Sequence, residues 1–216
     1  MQKTQNTQNT IEVRDGSLIA RVLDPGKKAE MEDARVFRHK IFLEELGWSL
    51  LDSNGQEVDE YGQSSLHFGA FSALGELVGY CRVILPKSRF MIEKEFADLV
   101  DPEYYIRKEG DTVEISRFAI PKELRGKQEG FRVIAVLLRC VYQWAMMNKV
   151  RYIYAVCASD HLGFLRGFFS CCKPIGPDYE YQPGISSSAF ILDLKELDLT
   201  KVRELWSVLM SKSPSE

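Results

Sequence analysis

Apolar residues recur along this chain in two rhythms, and the switches between them mark out its elements. Alternation with β-branched enrichment predicts strands over Ile11 to Leu23, Leu66 to Phe71, Leu77 to Leu85, Asp111 to Ile120, Tyr152 to Ala158 and Ala189 to Leu194. Helical spacing takes over at 27–46, through Ala29, Met31, Ala34, Phe37 and Ile41. It is clearest at Phe131 to Asn148, where Ile134, Leu137, Leu138, Val141 and Ala145 share one face. Shorter helices are predicted over 89–100 and His161 to Cys171, and a last one over Leu199 to Met210. A turn around Leu74-Gly75-Glu76 makes a hairpin of the second and third strands, Pro86 and Pro121 stop two strands, and Gly47 to Ser65 is a loop. Strands first, then strand–helix–strand alternation across 111–158, argue for an α/β sandwich with a mixed sheet. A right-handed crossover is expected at the long helix. No G-x-G-x-x-G follows a strand, which disfavours a doubly wound dinucleotide fold.

Composition narrows the class. The 216 residues, 45% hydrophobic and 27% charged, fit one soluble domain over 11–216 behind a disordered polar tail, 1–10. That tail lacks the apolar core of a signal peptide, and no run approaches the ~20 apolar residues of a membrane span. A net charge of −3 offers no general attraction to nucleic acid. Five cysteines, an odd number set mostly in apolar segments, suit reduced thiols in a cytoplasmic protein. Three scattered histidines give no metal-ligand spacing, so no metal is expected.

The chemistry concentrates in Glu114-Ile-Ser-Arg-Phe118. Alternation puts Glu114 and Ser116 on one face with Phe118, and Val113, Ile115 and Arg117 on the other. Charges inside an apolar strand need partners or a cleft, and an ordinary ion pair at a sheet edge fits them equally well. Arg82 lies in another apolar strand, which favours a paired, site-shaping guanidinium. Gly55-Gln-Glu57-Val-Asp59-Glu-Tyr-Gly62 is an acidic loop, which a solvated surface would also explain. The turn Pro121 to Gly130 enters the long helix beside Lys122, Arg125, Lys127 and Arg132, a setting for a phosphate or equally a solvated helix start.

Taken together these residues resemble the acyl-homoserine-lactone (autoinducer) synthases of quorum sensing, within the GNAT-like acyl-CoA N-acyltransferase superfamily. Arg38, Phe42 and Trp48 in Val36–Trp48, Glu57 and Asp59 in the acidic loop, Arg82 in Gly79–Pro86, Phe96, and the E-x-S-R-F run Glu114–Phe118 stand where that family keeps its motifs. The likeness covers roughly residues 20–170. Gly62 replaces the third family acid, and the turn at 121–130 departs from the superfamily Q/R-x-x-G-x-G/A loop. His67 and Gly176–Pro183 look more like the long-chain N-acyl amino acid synthases and exosortase-associated acyltransferases.

The resemblance implies a GNAT-like fold, a mixed twisted sheet flanked by helices, and an N-acyltransferase with no permanent cofactor. Its acyl donor would be an acyl-carrier-protein or acyl-CoA thioester, and its acceptor a small amine, S-adenosylmethionine or an amino acid. Glu114, Ser116 and Arg117 become the catalytic candidates, with Glu114 as general base and the strand Ser116 to Ala119 supplying oxyanion donors. Arg38, Phe42, Trp48, Glu57, Asp59, Arg82, Phe96, Phe118 and Cys157 become substrate-binding candidates, although core packing explains the aromatics as well. Met146, Met147, Leu162, Leu165 and Phe168 would join Cys157 around the acyl tail, or pack as core. Lys122, Arg125, Lys127 and Arg132 would receive a phosphopantetheine or an acidic carrier protein. A non-catalytic acyl-thioester or carrier-binding protein is the alternative of another class, and a cysteine-based enzyme is a weaker one, because no cysteine has an evident histidine partner.

Overall fold

The computed structural model describes residues 11–47, 59–159, 171–182 and 184–204. The first predicted strand is two, β1 (Glu12–Asp15) and β2 (Leu18–Val22), an antiparallel hairpin in which Asp15 pairs with Leu18. Gly16 at φ +58 takes the left-handed turn position, and the Asp-Gly pair was its signal. Helix α1 (Lys28–Arg38) runs on into a π-helical stretch, His39–Glu45. Ala34, Phe37, Ile41 and Phe42 form its buried stripe, packed with Leu23, Tyr80 and Ala119.

Strands β3 (Ser65–Phe71) and β4 (Leu77–Ile84) form the expected hairpin, and β5 (Thr112–Ala119) lies beside β4. The helix expected over 89–100 is instead two 3-10 turns, Met91–Glu93 and Ala97–Leu99. Its first turn is diverted because the N–H groups of Met91 and Ile92 donate to the Glu114 carboxylate. Helix α2 (Gln128–Met147) then connects β5 to β6 (Tyr152–Ala158), and these two strands pair in parallel. Entry to α2 is tight, since a Cβ at Gly130 would lie 2.0 Å from the Leu124 carbonyl oxygen. The single strand expected at 189–194 is longer, β9 (Ile185–Asp193), and it also pairs with β7 (Cys172–Pro174) and β8 (Tyr179–Gln182). Residues 199–204 are helical, while the helix expected at His161 to Cys171 lies largely outside the described residues.

The described strands make one mixed sheet in the order β1-β2-β3-β4-β5-β6-β9-β7, with β8 also on β9. One face carries Phe68, Ala70, Cys81, Val83, Val113 and Ile153 against Val133, Val136, Leu137, Cys140, Val141 and Trp144 of α2. Among the described helices α2 alone is long and apolar enough to cross a membrane, but this apolar side is the core of the sheet. On the other face lie Tyr80, Arg82, Ile84, Glu114 and Tyr154, covered partly by α1 and partly by the 90–99 turns. Fully buried charges belong to that second face, so the site lies there.

Candidate active site

Arg82 organises the site from β4. Its side chain is 0% exposed. Nη1 donates to both Asp59 oxygens, at 2.5 and 2.7 Å, Nε donates to Ser116 Oγ at 2.9 Å, and Nη2 lies 3.3 Å from the Met91 sulfur. The Tyr61 ring stacks on the guanidinium, 5.4 Å away. Asp59 also meets Arg117 at 3.4 Å. Burial raises the Asp59 carboxyl, but Arg82, then Arg117 and Arg38, more than offset this and hold it below its ordinary value. The acidic loop is therefore no solvated surface at Asp59, and β4 binds it to the sheet.

Arg117 reaches this carboxylate by breaking the alternation expected from the sequence. Tyr80 pairs with Ala119 but Arg82 with Ser116, so β5 carries one extra residue, a β-bulge at Arg117–Phe118. Arg117 adopts φ 54, a left-handed conformation costly for a side chain that is not glycine. The bulge swings it to the Glu114 side, where its guanidinium lies over the Phe42 ring at 5.1 Å. The face resumes at Ala119, which packs with Tyr80 and Phe42, and Phe118, expected to share it, is 36% exposed. Favourable contacts at Asp59 and Phe42 offset the strained backbone.

Glu114 is 1% exposed. Its Oε2 accepts from Met91 N–H at 2.5 Å and its Oε1 from Ile92 N–H at 3.2 Å. Burial pushes the carboxyl up to about 8, against these two N–H groups and the Arg82 guanidinium. Glu114 is thus placed to exchange a proton near neutral pH. Ser116, named with it as catalytic, accepts from Arg82 and so orients the guanidinium.

Beside this cluster the sheet opens. The parallel pairing of β5 with β6 runs from Thr112↔Tyr152 to Ile115↔Ala155 and stops there. β5 continues on β4 to Ala119, and β6 continues on β9 to Ala158. Two strand edges therefore diverge just past Glu114, with the bulge on one of them.

The other candidates divide. Arg38 is buried, its Nη1 3.5 Å from the Tyr80 hydroxyl and its guanidinium 5.9 Å from the ring centre. Phe42 belongs to the site through Arg117, whereas half-buried Phe96 packs with Ile84, Phe90 and Tyr154. Cys157 is half-buried next to Phe190 and Cys172, its thiol pushed up to about 11 by burial, which argues against a nucleophile. All five cysteines are free. The basic turn is partly spent on the fold. Arg125 binds Glu45 and the Ile120 carbonyl, and Arg132 binds Asp15, while Lys122 and Lys127 are exposed. Met146 and Met147 at the end of α2 are each 51% exposed. Trp48, Glu57, Leu162, Leu165 and Phe168 lie outside the described residues. Sequence reasoning missed Tyr80, although its position two residues before Arg82 on one strand put both on one face. No group of His, Cys, Asp or Glu able to hold a metal occurs among the described residues.

A mixed sheet that splays between two parallel strands, with a buried carboxylate and guanidinium cluster at the fork, is the α/β arrangement that the resemblance to GNAT-like acyltransferases implied. Solved structures share the fold. A CoA-dependent acyl-homoserine lactone synthase, BjaI, bound to SAM and isopentyl-CoA, has TM-score 0.67 and 20% identity over 85% of this chain and 83% of its own. FeeM, an N-acyl amino acid synthase from uncultured soil microbes, has TM-score 0.58 and 18% identity over 83% and 91%. An acyl-homoserine-lactone synthase of Vibrio anguillarum is 29% identical over 141 residues, 64% of this chain and 72% of that one. The autoinducer synthase family model matches residues 25–167, and the chain belongs to that family.

Proposed function

We propose that this chain transfers a fatty acyl group from a carrier-protein or coenzyme A thioester to the amine of S-adenosylmethionine, yielding an acyl-homoserine lactone. The observation that carries this reading is the juxtaposition of Glu114, the Arg82–Asp59–Arg117 cluster and the bulge at the fork of β5 and β6. Glu114, directly or through a water, takes a proton from the acceptor ammonium. The freed amine attacks the thioester carbonyl, and the developing oxyanion is met by backbone N–H groups of the bulged strand. Collapse of the tetrahedral intermediate expels the thiolate and leaves an amide. A carboxylate oxygen of the acceptor then attacks its own γ-carbon, forming the O–Cγ bond of the five-membered lactone as the Cγ–S bond breaks and methylthioadenosine leaves. Arg38, Arg82 and Arg117 all act on the Asp59 carboxylate, and guanidiniums are fork-shaped partners for carboxylates, which suits an acceptor bearing one, as an α-amino acid derivative does.

The test is mass spectrometry of organic extracts from cells expressing wild type or Glu114→Gln. An acylated lactone from wild type alone is expected. An N-acyl amino acid with no lactone would reassign the acceptor, and tight binding of an acyl carrier protein without any product would make the chain a binding protein.

A carrier protein would dock at the exposed lysines of the turn before α2. Replacing Lys122 and Lys127 together with Ala is expected to raise the KM for acyl carrier protein several-fold at low salt. The difference should shrink towards 0.5 M salt as charges are screened. Arg132→Ala would instead loosen β1–β2 from α2, lowering stability more than carrier affinity. An unchanged KM in the double lysine variant would place the carrier elsewhere. A reaction that draws on acyl thioesters and S-adenosylmethionine belongs in the cytoplasm, and the five free cysteines suit it.

A further inference from the structure

His67 is a buried titratable group that the transfer chemistry leaves unused. It lies on β3 opposite Arg82, 5% exposed, with both ring nitrogens engaged. Nε2 is 3.0 Å from the Gly62 carbonyl oxygen and Nδ1 is 2.6 Å from the Tyr80 hydroxyl. A carbonyl only accepts, so Nε2 carries the proton, and Nδ1 of the neutral ring accepts from the Tyr80 O–H. The Tyr80 oxygen lies in turn 3.5 Å from Arg38 Nη1. Donors and acceptors therefore alternate from Arg38 through Tyr80 and His67 to Gly62, and this tautomer alone satisfies every member. Burial, with Arg38 and Arg82 nearby, outweighs the Gly62 hydrogen bond and Asp59 and holds the ring down at about 4, so it stays neutral around pH 7.

The far end of this chain is the acidic turn. Tyr61 N–H donates to Asp59 Oδ1 at 3.1 Å, Ser65 Oγ donates to the Tyr61 carbonyl at 2.7 Å, and Ser64 N–H donates to the same carbonyl at 3.3 Å. The Lys94–Glu60 pair ties the turn from outside, where solvent weakens it. His67 ties it from the interior.

We propose that His67 is a positioning residue whose Nε2–H holds the Gly62 carbonyl, and with it the Asp59–Gly62 turn, against Arg82, so that the acceptor side of the site is preformed. The link to the acceptor rests on the function proposed above; the tether itself does not.

Two substitutions separate the halves of the chain. In His67→Gln the amide nitrogen can stand near Nε2 and keep the Gly62 contact, whereas in His67→Asn the shorter side chain reaches only the Nδ1 position and keeps Tyr80. Hydrogen exchange of the Tyr61 and Ser64 amides reports the turn without substrate. In His67→Asn it is expected to quicken about tenfold, the factor one net hydrogen bond supplies, and His67→Gln should recover most of the protection. The KM for S-adenosylmethionine should rise about tenfold in His67→Asn, with kcat changed far less, and fall back in His67→Gln. Ring ¹⁵N spectra of the wild type should show the Nε2–H tautomer from neutral pH down to about 5. Unchanged exchange in His67→Asn, an Nδ1–H tautomer, or a loss confined to kcat would each overturn the proposal. Absence of lactone from wild type would defeat the function proposed above by itself, and the exchange and tautomer measurements would still decide the role of His67.

Discussion

Arg82→Met is expected to lower acyl transfer by about 10²–10³ and to cost about 3–5 kcal/mol of folding stability. The size follows from what the guanidinium satisfies. It is the main partner of Asp59, it donates to Ser116, and it lies under the Tyr61 ring at 0% exposure. Removing one member of a buried ion pair leaves the other desolvated, and that stranded charge is more costly than the pair is stabilising. Asp59 would keep Arg117 at 3.4 Å, the Tyr61 N–H and the influence of Arg38, but with its main partner gone its carboxyl would move up as burial met less opposition.

A second substitution separates folding from chemistry. Adding Asp59→Asn to Arg82→Met removes the stranded charge, so urea unfolding should return much of the lost stability while transfer stays low. A double variant that regained activity with stability would make the pair scaffold alone. A single variant as stable as wild type would mean that Asp59 is not left as a stranded buried charge.

How far this site is legible in the sequence depends on how local each contact is. The β3–β4 hairpin, β5, α2 and β6 follow from period and turn residues, because their burial is one-sided along each segment. β7 and β8 were hidden, as short strands among Pro174, Gly176 and Pro177 carry no alternation of their own and exist through pairing with β9. The family motifs named Arg82, Asp59, Glu114 and Arg117. They did not show that Asp59 closes on Arg82, 23 positions away in sequence, because no local period encodes such a pairing. The bulge escaped for a different reason. A left-handed position usually announces itself as glycine, and here an arginine occupies it, held by Asp59 and Phe42. The turns at 91–99 kept the apolar spacing of a helix, yet their first N–H groups belong to Glu114, twenty-odd residues downstream.

Glu114→Gln tests whether that same carboxyl is a base or only the anchor of the 91–93 turn. Burial raises it from its ordinary value of 4.5 to about 8, so between those values the folded chain holds a proton that the unfolded chain has released. The slope of unfolding free energy with pH is proportional to protons bound unfolded minus folded, which is negative here. This contribution to stability is complete below about 4.5 and is lost as pH rises through about 8. Wild type should therefore lose on the order of a few kcal/mol across that window, and Glu114→Gln should be flatter, measured by urea unfolding at each pH. The variant starts from lower stability, since its amide N–H₂ faces the Met91 or Ile92 N–H where an oxygen accepted before. Catalysis runs the other way. A base must be unprotonated, so wild-type kcat/KM should climb with pH towards about 8, and Glu114→Gln should lose that limb together with about 10²–10⁴ in rate. A variant that keeps the limb and most of the rate, while its pH-dependence of stability disappears, would leave Glu114 as the anchor of the turn and move the base to another group at the fork.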